Sequence, residues 1–339
     1  MRSNIVRICH RSKHKQRRAR ALTLTLAAGL LLGFDCASAA TSTDSDRWIP
    51  ACPTGFEPQV GLNSGFLSDD APRQFHVLLP DELSTPRPVF VALTGTVQPE
   101  LSFLKQSGLD QLPNSGWIVI APVRTCATQG KNCNGIGTEG DGRNWEPWFD
   151  GHPDPNHDQG PDVRFVEAAV KCAATKWSVD QSRVYIGGIS AGGTFTNRAL
   201  TYRSDFFAGG VPASGVWYPV DRKGGSIDGM CCKRPLPTMD ASIVITIWGG
   251  PNDKWPLDRD PPLANYAPET KISSRYFGSQ PAVVHLACSG AHGHIWPVQM
   301  TQWLASTLLL HPKGSDPGAF KMTEPPSGFS CVRGVYTDH

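Results

Sequence analysis

Gly188-Ile189-Ser190-Ala191-Gly192-Gly193 follows the apolar run Arg183-Val184-Tyr185-Ile186 and opens onto a helix-compatible stretch, residues 194–202. A strand, a glycine-flanked serine and a helix in that order predict a very tight turn. The residues flanking the serine must carry almost no side chain, and the hydroxyl is pushed clear of the backbone. Such a turn is the elbow that presents a nucleophile, so Ser190 is the expected attacking group.

Two further chemistry-bearing residues follow strand-like runs. Residues 243–248 (IVITIW) read as a buried strand, and Gly249-Gly250-Pro251-Asn252-Asp253 turns away from its end. Residues 282–287 (AVVHLA) form a second run, followed by Gly290-Ala291-His292-Gly293-His294-Ile295-Trp296-Pro297. Reactive groups in open α/β sheets gather at the carboxyl ends of the strands. Ser190, Asp253 and His294 therefore stand in the order Ser…Asp…His expected of an α/β-hydrolase. A serine hydroxyl is too weakly acidic to attack unaided; a neutral histidine takes its proton, and a carboxylate orients that histidine. Asp258 and Asp260 compete with Asp253, and His292 competes with His294. Asp253 could simply be a turn residue, since Pro-Asn-Asp is a turn former. His285 lies inside the second run, where a hydrogen-bonded core histidine is the simpler reading.

Strands are also predicted at 73–79, 89–94, 117–121 and 209–213. An amphipathic helix is predicted at 162–177, with Asp162 near the start, and a last packed helix at 303–310. The alternation implies a mostly parallel central sheet with helices on both faces. Residues 41–70, rich in Gly, Pro and Ser, are expected to wrap the surface. Loop insertions are expected at about 124–161 and 214–240, inside a single catalytic domain at 41–339.

Residues 88–310 resemble the extracellular esterase group that includes poly(3-hydroxybutyrate) depolymerases and feruloyl and acetylxylan esterases. The resemblance rests on Asp162-Val163-Arg164-Phe165 through Tyr185, on the elbow, and on Gly293-His294-Ile295-Trp296-Pro297, which is similar to that group's Gly-His-x-Trp-Pro loop. Val89-Phe90-Val91-Ala92-Leu93-Thr94-Gly95-Thr96 stands in place of its Leu-His-Gly-Cys loop, with Thr94 for the His and Thr96 for the Cys. Asn144-Trp145 is similar to part of its Cys-Trp-Asn-Trp stretch, with the Cys gone and Arg143 alongside. The resemblance implies ester hydrolysis through an acyl-enzyme. The oxyanion would be held by backbone N–H groups of Thr96 and Ala191. No metal or organic cofactor is implied, and the partner is an ester substrate, small molecule or polymer.

Eight Lys/Arg between Arg2 and Arg20, a 14-residue apolar stretch at 21–34 and Ala37-Ser38-Ala39 read as a secretory signal over residues 1–40. The apolar run is shorter than the ~20 residues of a membrane span, so no stable membrane anchor is expected. The whole chain carries a formal charge of +2. Without the leader it retains 24 Lys/Arg and 29 Asp/Glu, a formal charge of −5, and no basic cluster for a nucleic acid. The predicted location is secreted or periplasmic. Cys52, Cys126, Cys133, Cys172, Cys231, Cys232, Cys288 and Cys331 remain, an even set that reads as up to four disulfides. Cys331 is a candidate to pin the C-terminal tail. Cys172, inside a predicted helix, is also readable as a free buried thiol. Oligomeric state is not fixed by these features.

Asp150, His152, Asp154, His157, Asp158 and Asp162 fall within 13 positions. Their spacing matches no EF-hand, and a polar surface loop is the simpler reading than a calcium or zinc site. Trp145, Trp148 and Phe149 in the same loop, with Trp296 beside His294, are expected to wall an apolar cleft. Trp145, Trp148 and Trp296 are thus candidate substrate contacts. Two other functions use the same sequence: an exported serine peptidase of the same fold, and a non-catalytic binding protein on this scaffold.

Overall fold

The computed structural model describes residues 48–96, 98–126, 143–145, 160–217, 238–240, 242–255 and 264–335; for 125–126 and 143–144 it describes only the backbone. The leader, Trp148, Asp258, Asp260, Cys133, Cys231, Cys232 and most of the Asp/His-rich loop lie outside these residues.

Nine strands form one sheet: β1 (Gly61–Ser68), β2 (Ala71–Leu78), β3 (Arg87–Leu93), β4 (Ile118–Pro122), β5 (Val179–Ile189), β6 (Gly209–Ala213), β7 (Ser242–Trp248), β8 (Val283–Ser289) and β9 (Ser330–Arg333). Their spatial order is β1-β2-β4-β3-β5-β6-β7-β8-β9. From β4 through β8 every neighbouring pair is parallel; β1, β2 and β9 are antiparallel additions at the two edges. The helices are α1 (Glu100–Ser107), α2 (Gly160–Lys176), α3 (Ala191–Tyr202), α4 (Tyr266–Gly278) and α5 (Thr301–Leu309).

Strand side chains alternate between the two faces, and the central strands are apolar on both. Val89, Val91, Leu93, Ile118 and Ile120 point to the face covered by α2, α3 and Phe277 of α4. Phe90, Ala92, Val119 and Ala121 point to the other, against Phe103 and Leu104 of α1 and Leu304 and Leu308 of α5. This is the α/β-hydrolase fold, as the strand and helix alternation predicts.

Two expectations are corrected. Residues 61–68 are not a surface wrap but edge strand β1, with Phe66 packed edge-on against Phe75 at 5.3 Å. A register shift between Asn63 and Phe66 breaks the two-residue period, which hides the strand in the sequence. Cys172 is not a free thiol: it is bonded to Cys52, tying the entering chain to α2. A second disulfide, Cys288–Cys331, joins β8 to β9 and pins the tail as expected. Among the described residues no helix is long and apolar enough to cross a membrane.

His285 on β8 is the hydrogen-bonded core histidine expected. Its Nδ1 lies 2.5 Å from the Gly334 carbonyl and its Nε2 lies 3.1 Å from Thr246 Oγ1. Burial lowers its pKa from 6.5 to about 4, with the Gly334 bond opposing. Between those values the unfolded chain binds more protons than the folded one. The stability this neutral histidine contributes is therefore complete above pH 6.5 and is lost as pH falls towards 4. The loss is expected to be about 3 kcal/mol, measured as urea midpoints against pH, and His285→Gln should flatten that part of the profile.

Candidate active site

Ser190 stands between the end of β5 and the start of α3 with φ 57° and ψ −117°, a conformation that non-glycine residues rarely adopt. The strain is held by three hydrogen bonds. The Ser190 N–H donates to the Ala213 carbonyl at 3.1 Å; the Ser190 carbonyl accepts from the Thr194 N–H at 2.8 Å and from Thr194 Oγ1 at 3.0 Å. The glycines of the turn are dictated by the neighbouring strand. A Cβ on Gly188 or on Gly192 would stand 2.3 Å from the Leu93 carbonyl oxygen. Without side chains at both places, the end of β3 and the loop after it can lie directly beside Ser190.

Asp253 is fully buried on the turn after β7. Its Oδ1 lies 2.7 Å from His294 Nδ1, and its Oδ2 accepts from Ser214 Oγ at 2.7 Å and the Gly249 N–H at 2.8 Å. Three donors around one carboxylate fix its orientation and compensate for its burial.

Tyr266, the first residue of α4, connects this pair to the serine. Its ring stacks on the His294 imidazole with centroids 4.2 Å apart, and its hydroxyl lies 3.4 Å from Ser190 Oγ. A two-stranded ribbon, Lys254–Trp255 with Ala264–Asn265, brings Tyr266 back beside Asp253. The Trp255 ring reaches within 5.9 Å of the imidazole.

Ala191 is the first residue of α3, where backbone N–H groups lack helical acceptors and the helix dipole is positive. Thr96 follows β3 in an exposed turn. The His292 ring lies 5.5 Å from that of Phe329; burial lowers its pKa, with Asp253 opposing.

The tryptophans do not sit where their residue type suggests. Trp145 is fully buried, stacked on Phe195 at 5.1 Å, with its indole N–H donating to the Thr94 carbonyl. Trp296 is also buried, edge-on to Phe103 at 5.8 Å and bonded to Thr301 Oγ1. Both therefore support the loops flanking the site from within rather than walling an open cleft. Asp162, the one member of the Asp/His-rich run among the described residues, is paired with Arg73 at 2.5 Å.

Sequence reading missed Ser214 and Tyr266. Ser214 was findable, because it stands at the carboxyl end of β6, where reactive groups collect. Tyr266 carries no local signal.

Sheet order, elbow and strand-end residues define a hydrolase of the α/β-hydrolase class. The prolyl oligopeptidase family model matches residues 132–222. Oxidized polyvinyl alcohol hydrolase of Sphingopyxis sp. (strain 113P3) is 42% identical over 351 residues, covering 92% of this chain and 95% of that protein. The chain belongs to the oxidized polyvinyl alcohol hydrolase family. A solved structure of native sOPH superposes with a TM-score of 0.72 at 42% identity, over 85% of this chain and 98% of that one. Feruloyl esterase B of Thermothelomyces thermophilus is 32% identical over a shorter stretch, 42% of this chain and 44% of that protein.

Proposed function

We propose that the protein is an exported serine hydrolase that transfers an acyl group to water through Ser190, with oxidised polyvinyl alcohol as its substrate. The observation that carries the reading is the placement of Tyr266. Its ring stacks on His294 and its hydroxyl reaches Ser190 Oγ, while Asp253 contacts the Nδ1 edge of the same imidazole.

Ser190 Oγ attacks a carbonyl carbon, and its proton passes to His294 Nε2. Asp253 keeps the Nδ1–H tautomer and stabilises the imidazolium. The N–H groups of Ala191 and Thr96 receive the oxyanion. His294 then gives its proton to the departing fragment, and water, activated by the same imidazole, releases the acyl group. Polyvinyl alcohol is a chain of 1,3-diols, so its oxidation sets two carbonyls two carbons apart. With such a 1,3-diketone the bond that breaks is C–C, and the enolate carbon takes the proton. With a carboxylic ester the same sequence breaks C–O. The likeness to feruloyl esterase B supports ester cleavage as the second reading. The basic, apolar leader and the two disulfides support export.

The test is to react the protein with a fluorophosphonate probe and locate the adduct by peptide mass. Turnover is then followed on oxidised polyvinyl alcohol, p-nitrophenyl acetate, a feruloylated sugar and a peptide anilide. The expected result is one adduct, on Ser190, with shortening of the oxidised polymer and no amide cleavage. An adduct on another residue, or undiminished turnover by fully labelled protein, overturns the assignment. Cleavage of the anilide in preference to the other substrates overturns the substrate class.

A further inference from the structure

Behind the loop that follows β3 lies a buried ion pair that the chemistry above does not use. Arg124, just beyond β4, and Glu100, the first residue of α1, are almost wholly inaccessible, with side-chain exposures of 0% and 1%. Arg124 Nε donates to Glu100 Oε1 at 3.0 Å. Its Nη1 donates to the Gly95 carbonyl at 3.1 Å and also to the Thr96 carbonyl. One residue earlier, the Thr94 carbonyl accepts from Trp145 Nε1 at 2.9 Å. Three successive carbonyls, 94 to 96, are thus taken by buried side-chain donors.

We propose that Arg124, oriented by Glu100, is a positioning residue that aims the Thr96 N–H at the oxyanion. The inference rests on the reading of Ser190 as nucleophile and deepens it. The Gly95 carbonyl and the Thr96 N–H belong to the same peptide plane, and in a trans peptide they point in opposite directions. Fixing the carbonyl on Arg124 therefore turns the N–H away from the guanidinium. Ser190 lies beside this residue: a Cβ built on Gly95 would stand 3.4 Å from Ser190 Cβ. Oxyanion stabilisation depends on donors that are already in place before charge develops. The backbone of this loop supplies one long turn bond, from the Gln98 N–H to the Gly95 carbonyl at 3.5 Å, which gives little such rigidity by itself. A fixed guanidinium fork reaching two carbonyls and a carboxylate does supply it, and a lysine ammonium cannot span all three. Burying two charges contributes little net stability, and replacing both by apolar groups of similar volume is often tolerated.

Two variants test this. Arg124→Lys keeps the charge facing Glu100 and loses the fork. The double variant Arg124→Met with Glu100→Met removes the pair without leaving one charge buried. Both are assayed with p-nitrophenyl acetate after native near-UV circular dichroism is verified. The expected result is a kcat lowered ~10- to 100-fold with KM changed less than about threefold. Affinity for a boronic acid, which mimics the tetrahedral state, should weaken by the same factor as kcat. The carbonyl stretch of a trapped acyl-enzyme should move to higher frequency, because its hydrogen bonds are weaker. If the folded double variant keeps kcat and boronate affinity, or if the loss lies in KM, the proposal is overturned. Fluorophosphonate labelling separates the two levels. An adduct on Ser190 with unaffected variants removes only the role of Arg124, whereas no adduct on Ser190 removes the reading beneath it.

Discussion

Asp253→Asn is expected to lower kcat about ten-thousandfold while the protein still folds. Which donor faces which oxygen decides the outcome. Oδ2 accepts from the Gly249 N–H, a group that can only donate, and from Ser214 Oγ; Oδ1 faces His294 Nδ1. An asparagine must place its one oxygen against Gly249, and the Ser214 hydroxyl can rotate to suit. The amide nitrogen then faces His294 Nδ1. Two N–H groups cannot bond to each other, so the imidazole moves its proton to Nε2. An imidazole protonated there cannot accept the proton of Ser190, and nucleophilic attack loses its base. The lost charge-assisted bonds are expected to cost about 1–3 kcal/mol of stability, read as the urea midpoint. The nitrogen-15 shifts of His294 report the tautomer directly, and single-turnover acylation reports the rate. A variant within tenfold of wild-type kcat, or one that keeps the Nδ1–H tautomer, would remove Asp253 from this role.

Legibility in the sequence followed the length over which each feature is encoded. The elbow is written in six consecutive residues, because the close approach of the Leu93 carbonyl leaves space only for glycine. Asp253 and His294 were readable because each follows a long apolar strand, β7 and β8, at its carboxyl end. Tyr266 was not readable. The ribbon that returns it to the site is two residues per strand, too short to show a period. Glu100 and Arg124 look like ordinary surface charges in one dimension; only α1 folding against the end of β4 makes them a buried pair. Trp145 and Trp296 were misread by type. An indole fits an open cleft and a closed core equally well, and its partner decides which: Thr94 for one, Thr301 for the other. Cys172 required knowledge of where the chain at Cys52 passes, 120 residues away.

Gly249→Ala carries the largest expected effect of any single methyl added to this site. The Gly249 backbone lies against that of Gly293: its carbonyl accepts from the Gly293 N–H at 2.7 Å, while a Cβ on it would stand 1.9 Å from the Gly293 carbonyl oxygen. Relief cannot come from a side-chain rotation, because the obstacle is main chain. The turn carrying Asp253 and the loop carrying His294 must move apart. That movement disturbs three linked contacts: the Gly249–Gly293 bond, the Gly249 N–H on Asp253 Oδ2, and through it the seat of His294. Forcing a methyl into packed backbone costs about 3 kcal/mol, and a displacement near 1 Å at the reacting groups costs ~100-fold in rate. The expected outcome is a lowered urea midpoint together with a kcat at least ~100-fold below wild type under conditions where the variant is fully folded. The separation of the two readouts is the point of the experiment. If the variant loses stability and, once folded, keeps its kcat, the backbone contact serves only the fold. If kcat falls in the folded protein, the same few atoms that join β7 to β8 also set the distance between Asp253 and His294.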